Sequence, residues 1–394
     1  MQTTDLLRKS VQVAFQSKFI PQFHLFAHLF DLLLTQVLTL LFRVMLAEHI
    51  ETGEKVALKV MKNGKSHQKS SDDNMFNDEV CVLKDLVHPN ILGYKDHCNN
   101  FKVTNAFGKL IQVKFIALEY AENGEFFEYL ATEERMSEEV VRYFFHTIID
   151  AIEYMHTQGY AHRDIKPENM LVDKEFNLKF ADFGFSTKEK IIGGRRGTLG
   201  YMAPEVHAGI EHDPKKADLF SIAVILFIMM TQHCPFTKAI PSDKYYKAVM
   251  GSDIDQFWQL HSNSNGKQKE FSDSFKTLFG GMIAMRPEDR LTINDIKESE
   301  WYNLPVATPE EAKAHLKKAR EVELSLFGNS ENVSEKEVCS ESQQKSSKAS
   351  RTTESIQEES GKDVIMRTSS DQEYITRYVQ VTDPEILVDA VAWF

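Results

Sequence analysis

His162-Arg163-Asp164-Ile165-Lys166-Pro167-Glu168-Asn169 is the run on which the reading of this chain turns. It holds a carboxylate, a lysine and an amide close together, the parts that transfer of a phosphoryl group to a hydroxyl requires. Asp164 is suited to orient the hydroxyl and accept its proton. Lys166 can stabilise the moving phosphoryl group, and Asn169 can ligate one divalent cation. Asp182-Phe183-Gly184 follows the strand-like stretch Asn177 to Phe180 and puts a second metal-binding carboxylate on a turn.

Moving outward toward the N-terminus, Val56-Ala57-Leu58-Lys59 places a lysine on a strand, where it can meet the α- and β-phosphates. Arg43 to His49 and Lys55 to Met61 read as two short strands joined by the turn Glu51-Thr52-Gly53-Glu54. A helix is expected over Asn74 to Leu86, with Phe76, Val80, Leu83 and Val87 at helical spacing and Pro89 as its stop. Glu79 on that helix can form the ion pair that aims Lys59. Lys114 to Tyr120 reads as another buried strand. Beyond Gly124 long helices take over, clearest over Ser137 to His156 and Asp218 to Met230. Ala203-Pro204-Glu205 closes the segment that Asp182 opens.

In this order and spacing these residues resemble the signature set of the eukaryotic protein kinases. Each motif alone is weak, since a lone Asp-Phe-Gly occurs by chance and an exposed Lys or Glu is usually a solvated charge; their joint order carries the resemblance. It covers Arg43 to Tyr302. It implies an α+β, two-lobed fold, with a small β-rich lobe to about residue 120 and a larger helical lobe from about 121. The activity it implies is transfer of the ATP γ-phosphoryl group to Ser or Thr of protein substrates, with Mg²⁺ as the metal. Lys166, and Thr198 in Gly197-Thr198-Leu199-Gly200-Tyr201, look like the serine/threonine branch. Leu118-Glu119-Tyr120-Ala121 resembles the hinge whose backbone pairs with adenine, with Leu118 as gatekeeper and Glu119 and Ala121 as hinge positions. Val44, Ala57 and Leu171 match the apolar walls around the base, although the same residues also serve as plain core. Glu125 matches a ribose contact. Glu168 and Glu125 together imply a preference for Arg or Lys upstream of the target hydroxyl. Asp218 and Arg290 resemble structural residues, the latter paired with Glu205. His88-Pro89-Asn90-Ile91-Leu92 and Gly124-Glu125-Phe126-Phe127 look most like the calcium/calmodulin-dependent and AMP-activated group.

Two features depart from the family. Gly53 is the first glycine of the chain, whereas the family places a glycine-rich loop before the valine that Val44 represents, so that backbone amides can approach the phosphates. Leu38-Thr39-Leu40-Leu41-Phe42 occupies that place. The favoured expectation is that the beginning of this chain is not the natural one. The alternative is a catalytically impaired pseudokinase that acts as a binding scaffold. The second departure concerns regulation. Arg163 occupies a position that in many relatives pairs with an activation-segment phosphate, but the usual phosphosite falls at Gly193-Gly194, which carries no hydroxyl.

Composition bounds the rest. The 394 residues hold enough chain for one large or two-lobed domain, and 42% hydrophobic with 26% charged content is ordinary for a globular protein. A formal net charge of -12 argues against nucleic acid as the main partner. Cys81, Cys98, Cys234 and Cys339 are scattered without a CxxC pair, which suits a reducing, cytoplasmic setting. Phe19 to Phe42 is long and apolar enough for a span of roughly 20 residues. Asp31 near its centre costs about 2.5–3.5 kcal/mol, so membrane contact through 19–42 is the lesser reading. The expected organisation is an atypical apolar segment over 1–42 and a kinase domain over 43–302. A helical extension follows over 303–327, opened by the capping box Thr308-Pro309-Glu310-Glu311. Residues 328–372 read as a polar disordered linker. A strand-helix fragment ends the chain over 373–394, where Thr376-Arg377-Tyr378 resembles the start of a kinase-associated module.

Overall fold

The computed structural model describes residues 42–322, apart from 50–51, 63–68, 105–109, 133–134, 252–253 and 263–269. The expectations for 1–41 and for 323–394 lie outside the described residues.

The first lobe is built on a sheet of β1 (Phe42–Glu48), β2 (Lys55–Lys62), β3 (Tyr94–Thr104) and β4 (Leu110–Glu119), in the order β1-β2-β4-β3 and antiparallel throughout. Side chains alternate between faces along a strand, and directly paired residues share a face. The register sets Val44 opposite Lys59, and Ala57 opposite both Leu46 and Leu118. One face therefore presents Val44, Ala57, Lys59 and Leu118 together. The other face packs Met45, Val60, Val113, Phe115 and Ala117 into their own cluster. Phe101 closes that cluster edge-on to Phe115, with ring centroids 5.5 Å apart.

β3 was not anticipated, and its sequence explains why. Tyr94–Thr104 is polar, and the pairing slips between Tyr94 and Asp96 and again between Cys98 and Phe101. Such bulges erase the period of two by which a strand is read. The helix carrying Glu79, α1, runs Lys69–Asp85, ending earlier than expected. Phe76, Val80 and Leu83 are buried, but Val87 lies beyond the helix end and is 80% exposed. Its helical spacing was a coincidence; Leu86 takes the buried place at the junction.

The second lobe is helical: α2 (Phe126–Leu130), α3 (Glu138–Thr157), a small hairpin of β5 (Met170–Val172) and β6 (Leu178–Phe180), then α4 (Pro204–Ala208), α5 (Pro214–Thr231), α6 (Lys244–Met250), α7 (Asp255–Ser262), α8 (Asp273–Met282), α9 (Ile293–Glu298) and α10 (309–322). Ser137 caps α3 by accepting from the Val140 N–H. α5 is apolar on every side because it is enclosed on every side, with Leu219, Phe220 and every residue from Ile222 to Met229 buried. Buried ionic groups tie the second lobe together. Arg290 makes two hydrogen bonds of 2.6 Å to the carboxylate of Glu205, both buried. Arg142 donates to the Trp301 carbonyl at 2.7 Å and lies 4.5 Å from the centroid of the Trp301 ring. The capping box at Thr308 forms as expected, with Thr308 N donating to Glu311 at 2.8 Å and Glu311 N donating to the Thr308 hydroxyl at 3.2 Å.

Candidate active site

The cleft face of the sheet delivers Lys59, and α1 delivers Glu79. The Lys59 ammonium donates to both Glu79 oxygens at 2.7 and 2.9 Å, and to Asp182 Oδ1 at 2.8 Å. Burial opposes the charge on Lys59, yet Asp182 and Glu79 more than offset it and hold its pKa above the usual lysine range. Burial pushes Glu79 up while Lys59 pulls it back. Lys59 draws the Asp182 carboxyl down to about 2. Glu79 is 3% exposed and Asp182 51%, so the pair is anchored at one end and open to the cleft at the other.

Asp182 sits in a turn with φ of 58°, and Phe183 behind it is buried 5.1 Å from the His162 ring. His162 is held in turn by the Ala181 carbonyl, 3.1 Å from its Nε2. The backbone N–H groups of His162 and Arg163 each donate to the buried Asp218 carboxylate at 2.8 Å. Those bonds support Arg163 at a φ of 72°, a conformation that costs about 1–3 kcal/mol in a non-glycine residue. The strained turn presents Asp164 to the cleft.

Asp164 is part of a closed set. Asn169 Nδ2 donates to the Asp164 carbonyl at 2.8 Å and to its Oδ2 at 3.0 Å. Thr198 donates its hydroxyl to Asp164 Oδ1 at 2.8 Å and accepts from the Lys166 ammonium at 2.9 Å. Lys166 also lies 3.2 Å from Asp164 Oδ2. Burial works against the Lys166 charge, but Asp164 and Glu168 raise its pKa. The sequence marked Thr198 only as a sign of the serine/threonine branch; its bonds to both Asp164 and Lys166 join positions too far apart for any local pattern to show.

The amide nitrogen of Asn169 is used on Asp164, which leaves its oxygen as the donor for a cation. With the half-exposed Asp182 carboxylate this makes a sparse oxygen set. Among the described residues no three His, Cys, Asp or Glu gather into a metal cage. A sparse set suits Mg²⁺, which keeps waters and binds through one or two carboxylates plus phosphates. The residues present therefore fit that ion.

On the other side of the cleft, Leu171 opposes Glu125 in a bridge, and the Val172 N–H donates to the Gly124 carbonyl at 2.9 Å. This draws the β5–β6 hairpin against the segment after β4, with Ala57, Ala121 and Leu171 all half-buried against the core. Glu119 turns its side chain away, to Lys179 at 2.8 Å and to the Gly93 N–H at 3.0 Å. Val44 shares the cleft face of the sheet and is 65% exposed. The Glu125 carboxyl is raised by burial, then by Glu128 and Glu168, which gathers acid beside Lys166.

A family model described as the protein kinase domain matches residues 42–302. The chain belongs to the protein kinase family. Similar curated proteins include the maternal embryonic leucine zipper kinase of Danio rerio, 33% identical over 278 residues that cover 68% of this chain and 37% of that protein. The carbon catabolite-derepressing protein kinase of Candida glabrata is 34% identical over 303 residues, covering 74% of this chain and 44% of that one. The CBL-interacting serine/threonine-protein kinase 8 of Arabidopsis thaliana is 31% identical over 264 residues, covering 66% and 54%. The chain thus spans from about a third to about half of the length of the curated relatives it matches. It is most like the serine/threonine kinases of the calcium/calmodulin-dependent and AMP-activated group. Among the described residues of the kinase, no helix is long and apolar enough to cross a membrane.

Proposed function

We propose that this kinase transfers the ATP γ-phosphoryl group to Ser or Thr hydroxyls of protein substrates. One observation carries the reading: Lys59, Glu79 and Asp182 meet within hydrogen-bond distance, while Asp164, Lys166 and Thr198 close a second set beside them. In this reading Asn169 and Asp182 hold Mg²⁺, which neutralises phosphate charge when bound. Lys59, fixed by Glu79, positions the α- and β-phosphates. The backbone of Glu119 and Ala121 receives adenine behind Leu118, with Val44, Ala57 and Leu171 as walls and Glu125 toward ribose. Asp164 orients the substrate hydroxyl and takes its proton at a carboxylate oxygen. Lys166 balances charge on the phosphoryl group in flight, and Thr198 keeps both side chains in place.

The acid gathered at Glu125 and Glu168 supports substrates with Arg or Lys upstream of the target. A peptide array selecting acidic or proline-directed sequences would refute that preference. The test of the reaction is magnesium-dependent phosphate incorporation into a basic peptide. Asp164→Asn and Asp182→Ala should each lower it by about 10²-fold or more. Undiminished incorporation in either variant overturns the assignment. The scaffold reading is favoured by one feature, the absence of any glycine before Gly53. It predicts partner binding with no incorporation by the unaltered chain.

A further inference from the structure

What holds α1 in the position that puts Glu79 on Lys59? Part of the answer lies at the helix's far end. Asp85, its last residue, accepts a 2.7 Å hydrogen bond from the Tyr160 hydroxyl and lies 3.0 Å from the Lys188 ammonium. Lys188 Nζ also stands 4.3 Å from the centroid of the Tyr160 ring. The three groups come from three places: the end of α1, the segment entering the catalytic run, and the activation segment that Asp182 opens.

These anchors are not equivalent. Tyr160 belongs to the second lobe, as does Tyr154, whose hydroxyl accepts from the Val87 N–H at 3.0 Å just past the helix. Lys188 belongs to a segment that in this fold runs over the surface. Its backbone is tethered beside the catalytic run by the paired bonds of Ala161 and Thr187, at 2.9 and 3.0 Å. Arg163, for its part, spends its guanidinium on the Phe185 carbonyl at 3.2 Å. The segment is thus tied down at Phe185, Thr187 and Lys188 through carbonyl, backbone and ammonium groups, and the glycines at 193 and 194 offer no hydroxyl.

We propose that Lys188, Asp85 and Tyr160 form a strap that clamps α1 to the activation segment and so keeps Glu79 engaged with Lys59, with Lys188 as a positioning residue. The strap rests on the transfer reading for its purpose but not for its existence. Glu79 lies on the same helix as Asp85, so a shift of Asp85 along or around the helix axis moves the Glu79 carboxylate with it. Lys188 and Asp85 are 56% and 52% exposed, which keeps the strap reversible: an exposed ion pair is modest, and its loss shifts a local equilibrium without unfolding the domain.

The experiment uses the full chain and three variants, Lys188→Met, Asp85→Asn and Lys188→Arg, with the Lys188→Met/Asp85→Asn double. Amide hydrogen exchange over residues 69–85 is read by mass spectrometry, alongside affinity for a fluorescent ATP analogue with Mg²⁺ and phosphate incorporation. Each neutralising variant should speed exchange of α1 by about 3- to 10-fold. The double variant should be no worse than the more severe single one, because one contact is broken either way. Lys188→Arg should stay within about twofold of the parent, since a guanidinium can meet the same carboxylate. Unchanged α1 exchange in Lys188→Met, or additive effects in the double variant, overturns the strap. If the parent chain incorporates no phosphate, the transfer reading fails, while hydrogen exchange and nucleotide affinity still decide the strap.

Discussion

Gly197→Ala should cripple transfer while leaving nucleotide binding almost intact. Gly197 has φ of +113°, and a Cβ built there would stand 2.6 Å from the Arg163 carbonyl oxygen. A carbon and an oxygen need roughly 3.3 Å, so the segment has to retreat by about 0.7 Å. The backbone conformation alone costs an alanine about 1–3 kcal/mol. The retreat falls on Thr198, the next residue, whose hydroxyl bridges Asp164 at 2.8 Å and Lys166 at 2.9 Å. Misplacing such groups by about 1 Å costs as much as 10²-fold in rate, so kcat should fall by about 10- to 100-fold. Lys59 and Asp182 do not touch Gly197, and affinity for a magnesium–nucleotide analogue should change by no more than about twofold. Gly159→Ala is the control: its φ is +90°, but nothing lies within 4 Å of the added Cβ. It pays the backbone cost without the clash, and should lower thermal stability while sparing kcat. The assay is steady-state phosphate incorporation, with nucleotide titration and thermal melts on all three proteins. A Gly197→Ala enzyme within threefold of the parent in kcat, or one losing nucleotide affinity in step with rate, would refute the reasoning.

Three further outcomes follow from buried charge and from the cleft. His261 is 4% exposed, donates from Nε2 to the Pro235 carbonyl at 3.0 Å, and has its pKa lowered to about 4 by burial and then by His233. The unfolded chain therefore binds the extra proton first: stability should fall as pH drops below about 6.5 and level off below the folded value, by up to about 3 kcal/mol in all. His261→Gln should flatten that slope in urea unfolding between pH 7 and 4. Removing one partner of the buried Glu205–Arg290 pair, as in Arg290→Leu, should destabilise by about 3–5 kcal/mol in denaturant titrations, with a double Glu205→Leu/Arg290→Leu variant losing less than the sum. Replacing Leu38 to Phe42 and the residues before them by a family-like strand and glycine loop should raise turnover about 100-fold or more, because backbone amides then reach the phosphates. Equal turnover before and after the graft would refute that expectation.

Much of the candidate site was legible because its parts are local. Asp164, Lys166 and Asn169 stand in one run, and the hydrogen bonds from Asn169 to Asp164 span five positions. β1, β2, α3 and the Thr308 cap followed from alternation, helical spacing and capping chemistry, which act between neighbours. β3 did not, because its bulges break the alternation and pairing with β4 sustains it. Val87 obeyed the helical spacing and still ended 80% exposed, since the helix stopped at Asp85.

The sequence by itself determined the types and order of the chemical groups, and with them the family and its two-lobed architecture. The Lys59–Glu79 pair, 20 positions apart, was already expected; only the tertiary structure decided that Lys59 also reaches Asp182 across 123. Thr198 reaches Asp164 across 34, and Lys188 reaches Asp85 across 103. The Lys59 ammonium beside it then holds Asp182 down at about 2, against burial, whereas burial itself holds His261 down at about 4. Desolvation and Coulomb attraction depend on distance in space, which a linear pattern does not carry.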